Sequence, residues 1–176
     1  RSGPGRRPAG PHTERRLRLI LWRISADTRR YQADDLSGRG AETTGGRWNE
    51  VGLPVVYTAT TRALACLETV VHLNAGGLPL NRYLVEIDAP DALLAAAVRL
   101  EAAALPAGWD GQPETQASVA VGSAWLRGGA SALLIAPSVI VPEEFNVLIN
   151  PAHPDSAKVT ARKVRPWTYD PRLLRV

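Results

Sequence analysis

Residues 54–73 read PVVYTATTRALACLETVVHL, a β-branched run that passes straight into an amphipathic helix. The hydrophobic period changes from two to 3.6 across Thr60 and Thr61, so a strand is followed directly by a helix. Residues 54–59 predict a short strand with Val55, Tyr57 and Ala59 on one face and Val56 on the other. Thr60 or Thr61 offers an N-cap oxygen. Ala63, Leu64, Leu67, Val70 and Val71 fall at helical spacing and predict the buried stripe of a helix running to about Leu73. Asn74, Ala75, Gly76 and Gly77 stop it.

The other segments extend this unit. Residues 19–24 (LILWRI), 82–87 (RYLVEI), 131–136 (SALLIA), 145–150 (FNVLIN) and 158–164 predict strands. The Ala- and Leu-rich stretch 91–105 and residues 114–127, closed by Gly128 and Gly129, predict helices. Residues 34–46, with four glycines, predict a loop that leads directly into Arg47, Trp48 and Asn49. Strands and helices mix without strict βαβ alternation, which favours an α+β fold over a doubly wound one. A length of 176 residues suits one domain, expected over 19–176.

The net charge of +4 raises the question of nucleic acid, and its position answers it. Residues 1–18 hold six arginines and one acid, which leaves 15 bases against 16 acids in the rest. The basicity belongs to an Arg- and Pro-rich tail, expected to be disordered and solvated. The remainder carries no basic stripe laced with aromatics, so direct nucleic-acid binding is not expected. Cys66 is the only cysteine, and His12, His72 and His153 lie far apart, so neither an internal disulfide nor a metal site is expected. No run reaches the roughly 18 apolar residues of a membrane span, and the start lacks a signal-type apolar core. A cytoplasmic protein with no membrane contact is the expectation.

Walker A, GxGxxG, GxSxG and HExxH patterns are all absent, so a nucleotide site here must be built from side chains. Gly45 and Gly46 let the backbone bring Arg47 close to a ligand, and a guanidinium suits phosphate oxygens. A surface or turn arginine is the plainer alternative. Tyr57 is either core packing or a platform for a planar ring. Glu68 lies about 100° from the centre of the apolar stripe, on its border. It either faces a cleft or pairs in solvent with His72 at i+4. Cys66 reads as packing, Ser138 as a turn former after a strand, and Glu143 and Glu144 as solvated. Asn146 and Asn150 flank a strand and can hold a loop by side-chain hydrogen bonds.

Taken together, the chain resembles the RES-domain family, named for its Arg, Glu and Ser. The resemblance rests on LWRIS (21–25), LSGRGAETTGGRWNEVGLPVVYTA (36–59), ALACLETVVHL (63–73) and PSVIVPEEFNVLINPAHPD (137–155), with LPAGWD (105–110) as a weaker block. It implies an ADP-ribosyltransferase-like fold, a split mixed β-sheet core with flanking helices. It also implies an NAD+-consuming toxin that cleaves the nicotinamide–ribose bond without a metal, held in check by an Xre-type helix-turn-helix antitoxin. By this match Arg47, Glu68 and Ser138 are the family's Arg, Glu and Ser, Tyr57 its aromatic position, and Arg23 a further arginine for NAD+. The implied roles are charge stabilisation by Glu68, pyrophosphate binding by Arg47 and Arg23, nicotinamide stacking by Tyr57, and placement of a ribose hydroxyl or of Glu68 by Ser138. Water, phosphate and a protein side chain all remain open as ADP-ribose acceptors. The rivals are a catalytically silent partner of a DNA-binding antitoxin and a nucleic-acid binder acting through the arginine tail.

Overall fold

A computed structural model of the chain describes residues 19–72 and 79–174. The expected tail at 1–18 and the helix stop at 74–77 lie outside the described residues. Seven strands form one sheet: β1 (Ile20–Ala26), β2 (Val56–Ala59), β3 (Arg82–Asp88), β4 (Val98–Arg99), β5 (Leu133–Pro137), β6 (Phe145–Ile149) and β7 (Thr160–Trp167). Their order is β4-β5-β6-β2-β1-β3-β7. Every neighbouring pair is antiparallel except β4 with β5, so the sheet is mixed and the fold is α+β. The α-helices are α1 (Arg39–Thr44), α2 (Arg62–Val70), α3 (Asp91–Ala95) and α4 (Gln116–Gly128). Among the described residues no helix is long and apolar enough to cross a membrane.

Alternation along the strands sorts the core into two faces. Leu21, Val56, Val85, Ile87, Leu133, Val147 and Ile149 point to one side and pack with Leu93 of α3 and with Val159. On the other side Trp22, Ile24, Ala59 and Leu84 meet Leu64 and Ala65 of α2, while Val55, Leu134 and Leu148 meet Trp125 and Leu126 of α4. Each fully buried aliphatic side chain contributes about 1.5–3 kcal/mol.

The split implied by the resemblance falls between β1 and β2. β1 pairs with β3 along its whole length, from Ile20↔Asp88 to Ala26↔Arg82. Its ladder to β2 is the single pair Trp22↔Ala59, and beyond that pair the two strands part. Arg23 and Ile24 on one strand and Tyr57 and Thr58 on the other line the resulting cleft.

Several sequence expectations are corrected. Residues 91–105 do not form one helix: α3 ends at Ala95, and Val98 and Arg99 pair in parallel with Leu134 and Ile135. Sheet pairing outweighs the helix propensity of the alanines. The loop at 34–46 contains the one-and-a-half-turn α1. The stripe of α2 is rotated. Leu64 and Ala65 are buried, whereas Ala63 and Val71 are exposed, Val71 at 56%. Thr61 is the N-cap, its hydroxyl accepting from the Leu64 N–H at 3.0 Å. Strand β7 continues through Pro166 because it lies at the sheet edge, where a missing N–H is tolerated.

Candidate active site

The cleft between the parted strands has a volume of about 610 Å³, within the usual range for small-molecule sites. Arg23, Arg47, Tyr57 and Glu68 all line it. Each reaches the cleft by a different local device.

Arg47 follows Gly45 and Gly46, and the turn at 46–49 closes on itself through paired hydrogen bonds between Gly46 and Asn49. Asn49 is the hub of this turn. It is 1% exposed, and its amide donates to the carbonyls of Ala41, Glu50 and Leu53 at 2.9, 3.2 and 2.9 Å. Its Oδ1 accepts from the Tyr57 hydroxyl at 2.8 Å, and that hydroxyl accepts from the Trp48 N–H at 3.0 Å. Gly46 must be glycine here, since an added Cβ would lie 2.9 Å from the Tyr57 hydroxyl. The Arg47 guanidinium donates through one nitrogen to the carbonyls of Trp109 and Gly111, both at 3.0 Å. Among the described residues its other donors make no hydrogen bond. Trp109 stacks on Trp48 with ring centres 6.0 Å apart, which ties this wall of the cleft to the core.

Tyr57 thus has its hydroxyl engaged on both sides, and the ring is what it offers the cleft. Burial pushes the phenol well above the ordinary tyrosine range. Glu114 and Glu68 push the same way, against the Trp48 N–H and Arg47. Tyr57 is therefore held as the neutral phenol near pH 7. Tyr57→Phe keeps the ring but leaves the Trp48 N–H and Asn49 Oδ1 short of a partner. Thermal denaturation should show a loss of about 1–3 kcal/mol. An unchanged transition would mean that the hydroxyl does not hold the turn.

Arg23 in β1 donates to the Asp35 carbonyl at 3.2 Å. Burial pulls its pKa below the ordinary arginine value, against the Tyr31 phenol and the Asp35 carboxylate. It stays cationic, and a poorly solvated cation binds an anion strongly.

Glu68 is half-buried and lies one turn after Leu64, on the side of α2 that faces the sheet. Its Oε1 accepts from the Ser138 hydroxyl at 3.0 Å and from the Asn146 amide at 2.6 Å. Ser138 follows β5 and is 1% exposed. Its hydroxyl oxygen accepts from the N–H groups of Ile140 and Val141 at 3.1 and 3.2 Å. Ser138 therefore stands behind Glu68 and does not line the cleft. The C-terminal segment anchors the same helix, the buried Tyr169 donating its hydroxyl to Thr69 at 3.0 Å. His72 lies exposed at the cleft rim, and no hydrogen bond joins it to Glu68.

The structure thus brings together Arg23, Arg47, Tyr57 and Glu68 around one cleft, with Ser138 bonded to Glu68. Asn146, which the sequence reading left as a loop-holding residue, belongs to the same cluster. Its only sequence signal is phase: Asn146 is two residues before Leu148 and shares its face of β6. Among the described residues no group of three or more His, Cys, Asp or Glu side chains is placed to hold a metal.

A mixed sheet parted over a cleft lined by two arginines, a tyrosine and a buttressed glutamate defines an α+β protein whose cleft carries two guanidinium groups and a held carboxylate. The chain belongs to the RES domain family, whose sequence model matches residues 20–171. A protein of Sphingobium sp. named Prs ADP-ribosylating toxin is 63% identical over 88% of this chain and 96% of its own length. Proteins named Toxin Res from Pseudomonas putida and Yersinia enterocolitica are 40% and 36% identical, each over 88% of this chain and 99% of their own. In fold, the chain resembles a chain of the M. tuberculosis MbcT–MbcA toxin–antitoxin complex, with a TM-score of 0.59 at 18% identity over 83% of this chain and 82% of that one.

Proposed function

We propose that this chain is an NAD+-consuming toxin that breaks the nicotinamide–ribose bond in the cleft and passes ADP-ribose to a protein acceptor. The observation that carries the reading is Glu68, held at one oxygen by Ser138 and Asn146 in a cleft that also holds two arginines. Membership of the RES domain family and the 63% identical relative named as an ADP-ribosylating toxin support it.

The bond joins a ribose carbon to a cationic pyridinium nitrogen. As it breaks, both electrons stay on nitrogen and nicotinamide leaves neutral, so no general acid is needed. Positive charge develops on the ribose, as in glycoside hydrolysis. The Glu68 carboxylate stabilises that charge from a fixed position. Arg47 and Arg23 bind the pyrophosphate, Tyr57 orients the nicotinamide ring, and Ser138 acts through Glu68. The acceptor then bonds to the ribose carbon and gives up its proton to solvent water. A toxin that depletes its own cell's NAD+ needs a neutralising partner there, and the family resemblance points to an Xre-type antitoxin.

The test is to incubate the chain, free of antitoxin, with NAD+ and cell extract and to follow products by mass spectrometry. Nicotinamide release with ADP-ribose on protein is expected. Free ADP-ribose would make water the acceptor, and ADP-ribose 1″-phosphate would make it phosphate. No nicotinamide release would sink the reading.

Arg47→Ala is expected to abolish measurable NAD+ binding by calorimetry. The two lost hydrogen bonds cost about 1–2 kcal/mol, a thermal shift of only a few degrees at this size. Retained affinity would remove Arg47 from the binding site.

A further inference from the structure

We infer that Asn146 is a positioning residue that, with Ser138, decides which oxygen of Glu68 meets the substrate. The inference rests on the reading of the cleft as an NAD+ site and goes beyond it by assigning a task to β6.

Both hydrogen bonds to Glu68 land on the same atom, Oε1. The two donors come from opposite sides of one hairpin, Ser138 just after β5 and Asn146 within β6. A carboxylate on a flexible glutamate presents either oxygen. Two donors on Oε1 fix the rotation, and Oε2 becomes the oxygen turned to the cleft. The sheet makes room for this contact. Asn146 pairs across the ladders with Ala59 on β2 and with Ala136 on β5. Residues directly opposite share a face, so two methyl groups flank the amide and leave the space above it to Glu68. Larger residues at 59 or 136 would fill that space.

An amide suits this task for a second reason. It donates a hydrogen bond at every pH, whereas a carboxyl in its place donates only while protonated. Asn146→Asp therefore converts a constant donor into a titrating one. Two carboxyl groups this close keep one proton between them until the pH rises well above the usual carboxylate range.

The experiment measures nicotinamide release against pH for wild type, N146D and N146A. Between the two titrations of the pair N146D should keep turnover, because the one shared proton supplies the missing donor and leaves the pair its negative charge. Above the upper titration of the pair its kcat should fall by about tenfold per pH unit, an alkaline limb that wild type lacks. N146A should lose about 10²-fold in kcat at every pH while KM changes by less than about threefold. A wild-type pH profile in N146D, or a wild-type kcat in N146A, would overturn the inference. So would loss of the folded state in both variants, which would make Asn146 purely structural. Absence of turnover in wild type tells against the NAD+ reading instead. In that event a carbon-detected NMR titration of N146D still decides: the pair should titrate in two coupled steps, and independent single titrations would refute the proposed contact.

Discussion

Glu68→Gln is expected to lower NAD+ turnover by about 10²–10³-fold, a loss of about 3–4 kcal/mol of transition-state stabilisation. The substitution is nearly isosteric. The amide carbonyl can still accept from Ser138 and Asn146, where Glu68 Oε1 now accepts at 3.0 and 2.6 Å. What changes is the cleft side, where an NH2 group replaces the second carboxylate oxygen. A negative charge is lost at the point where positive charge develops on the ribose. Ground-state NAD+ affinity should fall only slightly, since the arginines are untouched and all that is lost is the carboxylate's attraction for the pyridinium charge already on the ring. Thermal denaturation, calorimetry with NAD+ and initial rates of nicotinamide release separate these terms. A folded E68Q protein with wild-type turnover would refute the role assigned to the carboxylate.

Gly122→Ala should damage both fold and site, although the residue lies outside the cleft. Gly122 is in α4 where the helix backbone touches the turn that carries Arg47. An added Cβ would lie 2.0 Å from the Trp48 carbonyl oxygen and 2.7 Å from its carbonyl carbon and Cβ. These are backbone or core atoms: Trp48 is 1% exposed and packs with Trp125 and Leu126 of α4. Either α4 or the 46–49 turn has to move by about an ångström. Overpacking of this kind costs about 1–3 kcal/mol, or roughly 2–12 °C in Tm for a chain of this size. Moving the turn displaces Arg47 as well, and an error of that size costs about 10²-fold in a well-placed site. Gly128→Ala, six residues further along α4, is the control. Its methyl meets nothing within 4 Å and should leave NAD+ affinity unchanged. Equal behaviour of the two variants would mean that α4 and the turn are not rigidly coupled.

The fold was legible in the sequence where short-range chemistry decides it. The strand at 54–59 and the capped helix after it are set by β-branched residues and a threonine, and both formed. The α+β class followed from the order of elements. Where long-range pairing decides, the sequence reading failed. Residues 98 and 99 become a strand only because β5 offers a parallel edge. The stripe of α2 was placed from apolar residues alone. In the structure the inward side of that helix includes Glu68, because part of what it faces is a polar cleft, and periodicity scores only apolar walls. In the cluster around the cleft, Arg47, Tyr57 and Glu68 stood out by local chemistry with two readings each and Ser138 as a turn former, and the family resemblance chose the site reading and added Arg23. Asn146 escaped because a polar residue in a strand carries no sign of what lies across from it.

The carboxylate cluster joins positions far apart along the chain: Ser138 lies 70 residues beyond Glu68, and Asn146 lies 78 beyond it. Chains are made from the N-terminus, and domains fold as units as they emerge. While the ribosome is still making the first two-thirds of the protein, Arg23, Arg47, Tyr57 and Glu68 already exist, but the hairpin that aims Glu68 does not. The sheet is equally incomplete, since β2 has no β6 to pair with. A nascent chain, or one truncated before residue 138, carries the charged groups without the geometry that directs them. On the proposed function, turnover is thereby expected only from chains that carry this hairpin, which would leave the period of synthesis free of it.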